Sequence, residues 1–131
     1  MHGKNPVISV IMGIYNCGDT LSEAIECIVN QTFSDWELIM CDDGSTDDTW
    51  EKLQKIAATD SRIQLIHNKE NRKAGYARNC CIRQASGNYI AVMDADDISD
   101  PRRLEIEKEY LDEHRECDFV GTRSQFFIKH I

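Results

Sequence analysis

The sequence has no apolar run near the length needed to cross a bilayer, and no secretory leader is expected, because the N-terminus passes straight into a strand-like segment. It also lacks a basic cluster. Asp and Glu number 23 against 15 Lys and Arg, the formal net charge is −8, and the sequence pI is about 4.9. Nucleic acid is excluded as a partner on that balance, since phosphate backbones are held by Lys/Arg patches, and so is a polybasic hold on anionic lipid. There is no C-x-x-C, and the four histidines are scattered without H-E-x-x-H spacing, so a zinc site is not expected. No G-x-G-x-x-G follows a strand and no G-x-x-x-x-G-K-[ST] occurs, which disfavours dinucleotide cofactors and P-loop chemistry. Six cysteines are present, mostly at apolar positions of strand-like or helix-like segments. With a sufficient core and no leader they read as buried reduced thiols, which places the chain in the cytoplasm or at the cytosolic face of a membrane.

What is present is a regular alternation of two hydrophobic periods over 131 residues, 41% of them hydrophobic. Val7 to Ile14 is nearly continuous and β-branched, as expected of a first, central strand. Thr20-Leu21-Ser22-Glu23 fits a capping box, and Leu21, Ala24, Ile25, Ile28 and Val29 recur at helical spacing. Trp36 to Cys41 is the second strand, and Thr46-Asp47 can cap a second helix with Trp50, Leu53, Ile56 and Ala57 on its apolar face. Ile63 to His67 is a short third strand. A third helix runs from Ala74 to Ala85, with Ala77, Cys81 and Ile82 inward and Gly87 as its C-terminal glycine. Tyr89 to Met93 reads as a buried fourth strand. A fourth helix runs from Pro101, capped by Asp100, to His114, and Asp118 to Gly121 resembles one more strand. The pattern predicts an α/β fold, a mostly parallel sheet flanked by helices on both faces, in a single domain over residues 1–131.

In a parallel sheet the C-terminal strand ends open on one edge, where α/β proteins place their ligands. Tyr15-Asn16, Asp42-Asp43 and Asp94-Ala95-Asp96-Asp97 should therefore converge. Each has a plain structural reading: Tyr15 as a half-buried packing ring, Asp42 or Asp43 as a turn acid or cap, the later acids as loop charges. Since Asp100 is the better helix cap, Asp94, Asp96 and Asp97 are left without a structural task. Clustered carboxylates repel, and a divalent cation shared with phosphate oxygens compensates them. A nucleotide fits the same edge: a tyrosine can pack on a base, an aspartate can accept from a base N–H or ribose hydroxyls, and a metal on Asp96 can hold a diphosphate.

The segments Val7-Ile8-Ser9-Val10-Ile11-Met12, Tyr15-Asn16, Gln31-Thr32-Phe33-Ser34-Asp35-Trp36-Glu37-Leu38-Ile39 and Asp42-Asp43-Gly44-Ser45-Thr46-Asp47 resemble the opening of family-2 glycosyltransferases. Ala77-Arg78-Asn79 and Gly87-Asn88-Tyr89-Ile90 before Asp94-Ala95-Asp96-Asp97 continue the resemblance over nearly the whole chain. It implies a Rossmann-like GT-A fold and an inverting transfer from a nucleotide-diphosphate sugar, a UDP-sugar foremost, to a hydroxyl of a glycan or lipid-linked acceptor in polysaccharide or cell-wall glycan synthesis. It also implies donor contacts at Gly13, Tyr15, Asp43, Lys73 and Asp94, with Tyr15 and Asp43 at the base, Asp94 near the ribose, and Mn²⁺ or Mg²⁺ on Asp96. Arg78 and Asn79 would brace the loop before them. Family members continue past the D-x-D, and the base carboxylate lies in that continuation, so the general base is expected beyond Ile131 and no catalytic residue within the chain. The expectation is thus a C-terminally truncated donor-binding half, inactive in transfer by itself, with Glu105, Glu107 and Glu109 as solvated helix charges.

Two rivals stand beside this reading. One is a module that holds a nucleotide sugar and never turns over. The other is a phosphoacceptor receiver domain, which Asp42-Asp43 and Asp94 imitate. A receiver needs its acid pair on the first strand and a Lys after its last, whereas here a strand precedes the pair and Gly121-Thr122-Arg123 has no Lys.

Overall fold

The structure, a computed structural model, describes residues 4–124. Its elements alternate as expected: β1 (Ile8–Ile14), α1 (Leu21–Val29), β2 (Trp36–Asp43), α2 (Thr49–Ala57), β3 (Ile63–Asn68), α3 (Ala74–Gln84), β4 (Tyr89–Val92) and α4 (Arg103–Glu113). The strands form a four-stranded sheet in the order β3-β2-β1-β4, and every pairing is parallel. β1 pairs with β2 from Ile8↔Trp36 to Ile14↔Asp42 and with β4 from Ile8↔Tyr89 to Ile11↔Val92. The chain winds one way from β1 to β3 and then returns to the other side of β1. The order therefore reverses between β1 and β4, which is where open α/β sheets form their ligand crevice.

Burial explains the pattern. Val10, Ile11, Met12, Leu38, Ile39 and Met40 are wholly buried because the sheet is covered on both faces. One face carries the larger core, where Leu21, Ala24, Ile25 and Ile28 of α1, Leu53 of α2 and Leu104 of α4 meet Val10, Met12, Leu38 and Met40. The other face holds Ile11, Ile39 and Cys41 under Ala77 and Cys81 of α3. Alternation along β1 and β2 thus feeds two cores. Among the described residues no helix is long and apolar enough to cross a membrane.

Several local expectations are corrected. Thr20 is the N-cap residue of α1, yet its side chain makes no capping bond; its hydroxyl donates to the Ala95 carbonyl at 2.9 Å instead. β4 is not buried on both faces: it is the sheet edge, with Ile90 and Val92 44% and 47% exposed. Ile82 also faces outward. Gly87 does not cap α3, whose C-cap is Ala85 in an extended conformation. It permits close approach instead, since a Cβ there would lie 2.7 Å from the Ser9 nitrogen. α4 starts at Arg103 rather than Pro101, and Asp100 accepts the Arg102 N–H at 2.8 Å just before it. Residues 118–121 form no strand. Of the six thiols, Cys41 and Cys81 are buried and the other four are partly buried.

Candidate functional site

The acids of the fourth strand leave the sheet at the reversal point. Met93, buried, still donates its N–H to Ile11 O at 3.2 Å, so the chain stays beside β1 up to the turn. Ala95 is buried and its carbonyl is held by Thr20, while Asp97 N–H closes the turn on Asp94 O at 3.1 Å. Burying the one apolar residue of Asp94-Ala95-Asp96-Asp97 turns the acids outward. Carboxylate oxygens of Asp94, Asp96 and Asp97 lie within 4.8 Å of one another, all three exposed. Burial, then the neighbouring Asp94 and Asp96 charges, push the Asp97 carboxyl above the ordinary aspartate range. Three hard oxygen donors at this spacing, one with raised proton affinity, fit the demands of Mg²⁺ or Mn²⁺.

The three acids are not equivalent. Asp94 has a partner that was not foreseen: Arg78 Nη2 lies 2.8 Å from Asp94 Oδ1. Arg78 therefore braces the acidic turn rather than the loop that precedes α3. Asp96 makes no hydrogen bond or ion pair among the described residues, which leaves its carboxylate available to a cation.

At the ends of β1 and β2 the geometry divides the candidates. Tyr15 is 44% exposed at the end of β1. The turn after it is fixed tightly. Asn16 has φ +49°, its side-chain oxygen accepts Thr46 N–H at 2.8 Å and Asp47 N–H at 3.3 Å, and its own N–H donates to Ser45 Oγ at 3.0 Å. Asp43 is 2% exposed. Both its oxygens accept the Arg72 N–H, at 3.0 and 3.1 Å, and Oδ1 also accepts Asn68 Nδ2 at 3.3 Å. Its carboxylate ties the 68–73 loop to the end of β2. Gly44, at φ +75°, lets that loop close over it, because a Cβ there would stand 2.7 Å from the Glu70 carbonyl carbon.

Gly13 and Lys73 lie where α3 meets the sheet. A Cβ on Gly13 would meet Ala77 Cβ at 3.4 Å and Arg78 Cγ at 3.8 Å, ordinary contact distances, so the N-terminal half of α3 packs directly against β1 there and the position does not demand a glycine. Lys73 is exposed, has φ +77°, and precedes α3, its N–H donating to Asn71 Oδ1 at 2.9 Å. Asp42 is fully buried and also bonded: Ser45 Oγ donates to Oδ1, and His67 Nδ1 is 3.0 Å from Oδ2. Both acids of the pair thus have structural bonds, against the expectation that only one would. Thr20, Arg78, Ser45 and His67 were not assigned these contacts from sequence. Thr20 carried a signal that pointed to the wrong partner, and the others form pairs across strands that no local pattern encodes. Ile131, beyond which the general base is expected, lies outside the described residues; it marks a boundary in that expectation and is not itself a site residue.

Comparison with known proteins places the chain in a family. The sequence model of Glycosyl transferase family 2 matches residues 9–129. WfaP of Escherichia coli, a UDP-Glc:alpha-D-GlcNAc-diphosphoundecaprenol beta-1,3-glucosyltransferase, is 46% identical over 126 residues, 88% of this chain and 49% of that protein. The structure of S. aureus TarS 1-349 in complex with UDP-GlcNAc is similar with a TM-score of 0.77 at 27% identity, covering 83% of this chain and 32% of TarS. The mannosyltransferase PcManGT of Pyrobaculum calidifontis, in complex with GDP-Man and Mn²⁺, is similar with a TM-score of 0.76 at 26% identity, covering 82% and 33%. The chain spans about half the length of the curated relatives it matches. Its parallel sheet with helices on both faces has the GT-A architecture of these neighbours, and the chain belongs to glycosyl transferase family 2.

Proposed function

We propose that this chain is the donor-binding portion of an inverting, metal-assisted glycosyltransferase that moves a sugar from a nucleotide-diphosphate sugar, a UDP-sugar foremost, to a hydroxyl of a glycan or lipid-linked acceptor. The observation that carries this reading is the cluster of Asp94, Asp96 and Asp97 at the reversal point of the sheet. Support for the donor comes from the UDP-Glc of WfaP's name and the UDP-GlcNAc bound to TarS, and for a metal from the Mn²⁺ bound with GDP-Man in PcManGT.

The resemblance supplies the roles, and the geometry is compatible with them. Tyr15 offers a ring face for the base. Asp43 sits beside it with a fixed orientation, its bonds to Arg72 and Asn68 leaving lone pairs for one further N–H. Gly13 and Lys73 would contribute donor contacts by resemblance to the family, Gly13 at the end of β1 and Lys73 exposed just before α3. Asp94, held by Arg78 at 2.8 Å, would accept from a ribose hydroxyl. Asp96 is the residue that would hold Mn²⁺ or Mg²⁺, with Asp97 close enough to share it. The cation's contribution is to neutralise charge that grows on the leaving diphosphate. The acceptor proton goes to a carboxylate, for which the described residues offer no evident candidate. The helix acids are poor candidates, since Glu107 pairs with Arg103 at 3.1 Å and Glu105 accepts the Thr32 hydroxyl at 2.8 Å.

Calorimetric titration with UDP and GDP in the presence of Mn²⁺ tests the donor site. Binding that is lost in Tyr15→Ala and in Asp96→Asn is expected, and no binding of any nucleoside diphosphate would remove the reading. Transfer to a saccharide acceptor by residues 1–131 alone, above an enzyme-free control, would contradict the assignment of this chain to the donor half.

A further inference from the structure

Asp42 is a wholly buried carboxylate that no donor could reach, yet it is linked to the turn that carries Tyr15. Its Oδ1 accepts the Ser45 hydroxyl. That hydroxyl, its proton committed to Asp42, presents a lone pair to the Asn16 N–H at 3.0 Å. Its Oδ2 faces His67 Nδ1 at 3.0 Å, and the His67 ring rests on Trp50 with centroids 4.2 Å apart. The chain of contacts runs from the outer strand β3 to the residue after Tyr15. Asn16 needs that hold, because a left-handed backbone at a residue other than glycine persists only where its surroundings enforce it.

We infer that Asp42 and Ser45 are positioning residues for the Tyr15 platform: Asp42 fixes the Ser45 rotor, the rotor fixes the Asn16 amide, and the amide fixes where the Tyr15 ring stands. This rests on the donor reading for its consequence in binding, though not for the hydrogen-bond chain itself. The structural alternative is that the network only stabilises the β2–α2 loop. The two differ in what Ser45 substitutions do once Tyr15 is gone.

The experiment has two arms on residues 1–131. In the first, hydrogen exchange of the Asn16 amide is followed by NMR in the wild type, Ser45→Ala, Ser45→Thr and Asp42→Asn. The amide should be protected in the wild type, faster by tenfold or so in Ser45→Ala, and restored in Ser45→Thr, which keeps the hydroxyl. In the second, UDP affinity with Mn²⁺ is measured for Ser45→Ala, Tyr15→Ala and the double variant. Ser45→Ala should weaken UDP about five- to tenfold and add nothing on the Tyr15→Ala background, as expected of residues that act as a unit. Additive losses, or an Asn16 amide that exchanges equally fast in wild type and Ser45→Ala, overturn the inference. Should the wild type bind neither UDP nor GDP, the donor reading falls, and the exchange arm alone decides whether Ser45 holds the turn. Asp42→Asn is judged by exchange only if it remains folded, and Ser45→Ala, at a partly buried site, carries the test if it does not.

Discussion

Removing the Glu37 carboxylate should be among the most costly single changes in this fold. Glu37 is 6% exposed on β2. Its Oε1 accepts Ser9 Oγ at 2.6 Å, Ser86 N at 2.7 Å and Ser86 Oγ at 2.9 Å, while Oε2 accepts Gln64 Nε2 at 2.9 Å. One side chain thereby joins β1, β2, β3 and the segment that leads into β4. Burial pushes its carboxyl up, but the bonds from Ser9, Ser86 and Gln64 outweigh that and hold it below the ordinary glutamate value of 4.5. In Glu37→Ala the Ser9 hydroxyl, fully buried, loses its acceptor, at a cost of about 1–3 kcal/mol. Ser86 and Gln64 are exposed and can turn to water, so each of their bonds is worth about 1 kcal/mol net. The sum is roughly 4–6 kcal/mol, or a fall in Tm on the order of 15–20 °C for a domain of this size. Glu37→Gln keeps one carbonyl acceptor and should cost about 1 kcal/mol. Because the folded carboxyl is depressed, the stability it contributes is present above the unfolded value near 4.5 and is lost as pH falls through the folded value. The gap between wild type and Glu37→Gln should therefore narrow in melts below about pH 4. A Glu37→Ala chain that melts within about 2 °C of wild type at pH 7 would refute the hydrogen-bond accounting.

Three further outcomes are expected. Gly87→Ala should destabilise by about 1–3 kcal/mol in denaturant titration, since its Cβ would press on Ser9 backbone at 2.7 Å; an unchanged midpoint would show that the loop can shift freely. Asp97→Asn should raise the metal-free Tm at pH 7, because a carboxyl with raised folded affinity for protons loses stability as pH rises through its folded value; a lower Tm would mean the charge is used structurally. All six cysteines should titrate as thiols after denaturation without reductant, with Cys41 and Cys81, whose burial pushes them to about 12 and about 11, the slowest to react in the native chain; fewer than six thiols in freshly purified protein would contradict this.

The strand and helix order was legible because burial on two faces writes continuous apolar runs, and β1 and β2 have them. β4 misled for a related reason: Tyr89-Ile90-Ala91-Val92 is apolar throughout, but only its Ala91 face is covered, and composition alone cannot say which face has a neighbour. That Tyr15, Asp43 and the later acids lie at C-terminal ends of parallel strands was legible from the topology. The partners of those acids were not. Arg78–Asp94, Thr20–Ala95 and Asp42–Ser45–Asn16 are made between elements whose relative height is set by packing, and no local spacing encodes that height. Thr20 shows the cost most clearly, since a residue with the right spacing for a capping box is spent on the acidic turn.

In the proposed donor site Asp96 joins a divalent cation to a nucleoside diphosphate at the end of β4. A lone carboxylate holds Mn²⁺ or Mg²⁺ weakly, since these ions rely on substrate phosphates for the rest of their shell. Each ligand should therefore favour the other, and reciprocally. Ligand that binds only the folded chain stabilises it by RT ln(1 + [L]/Kd), about 2.7 kcal/mol at a hundredfold excess over Kd. The most direct measurement is the Tm of residues 1–131 with UDP, with Mn²⁺ and with both, in wild type and Asp96→Asn. The joint shift should exceed the sum of the separate shifts in wild type, and Asp96→Asn should lose that excess while its unliganded Tm stays level or rises slightly. Equal, additive shifts in both chains, or an Asp96→Asn chain that unfolds, would contradict the claim.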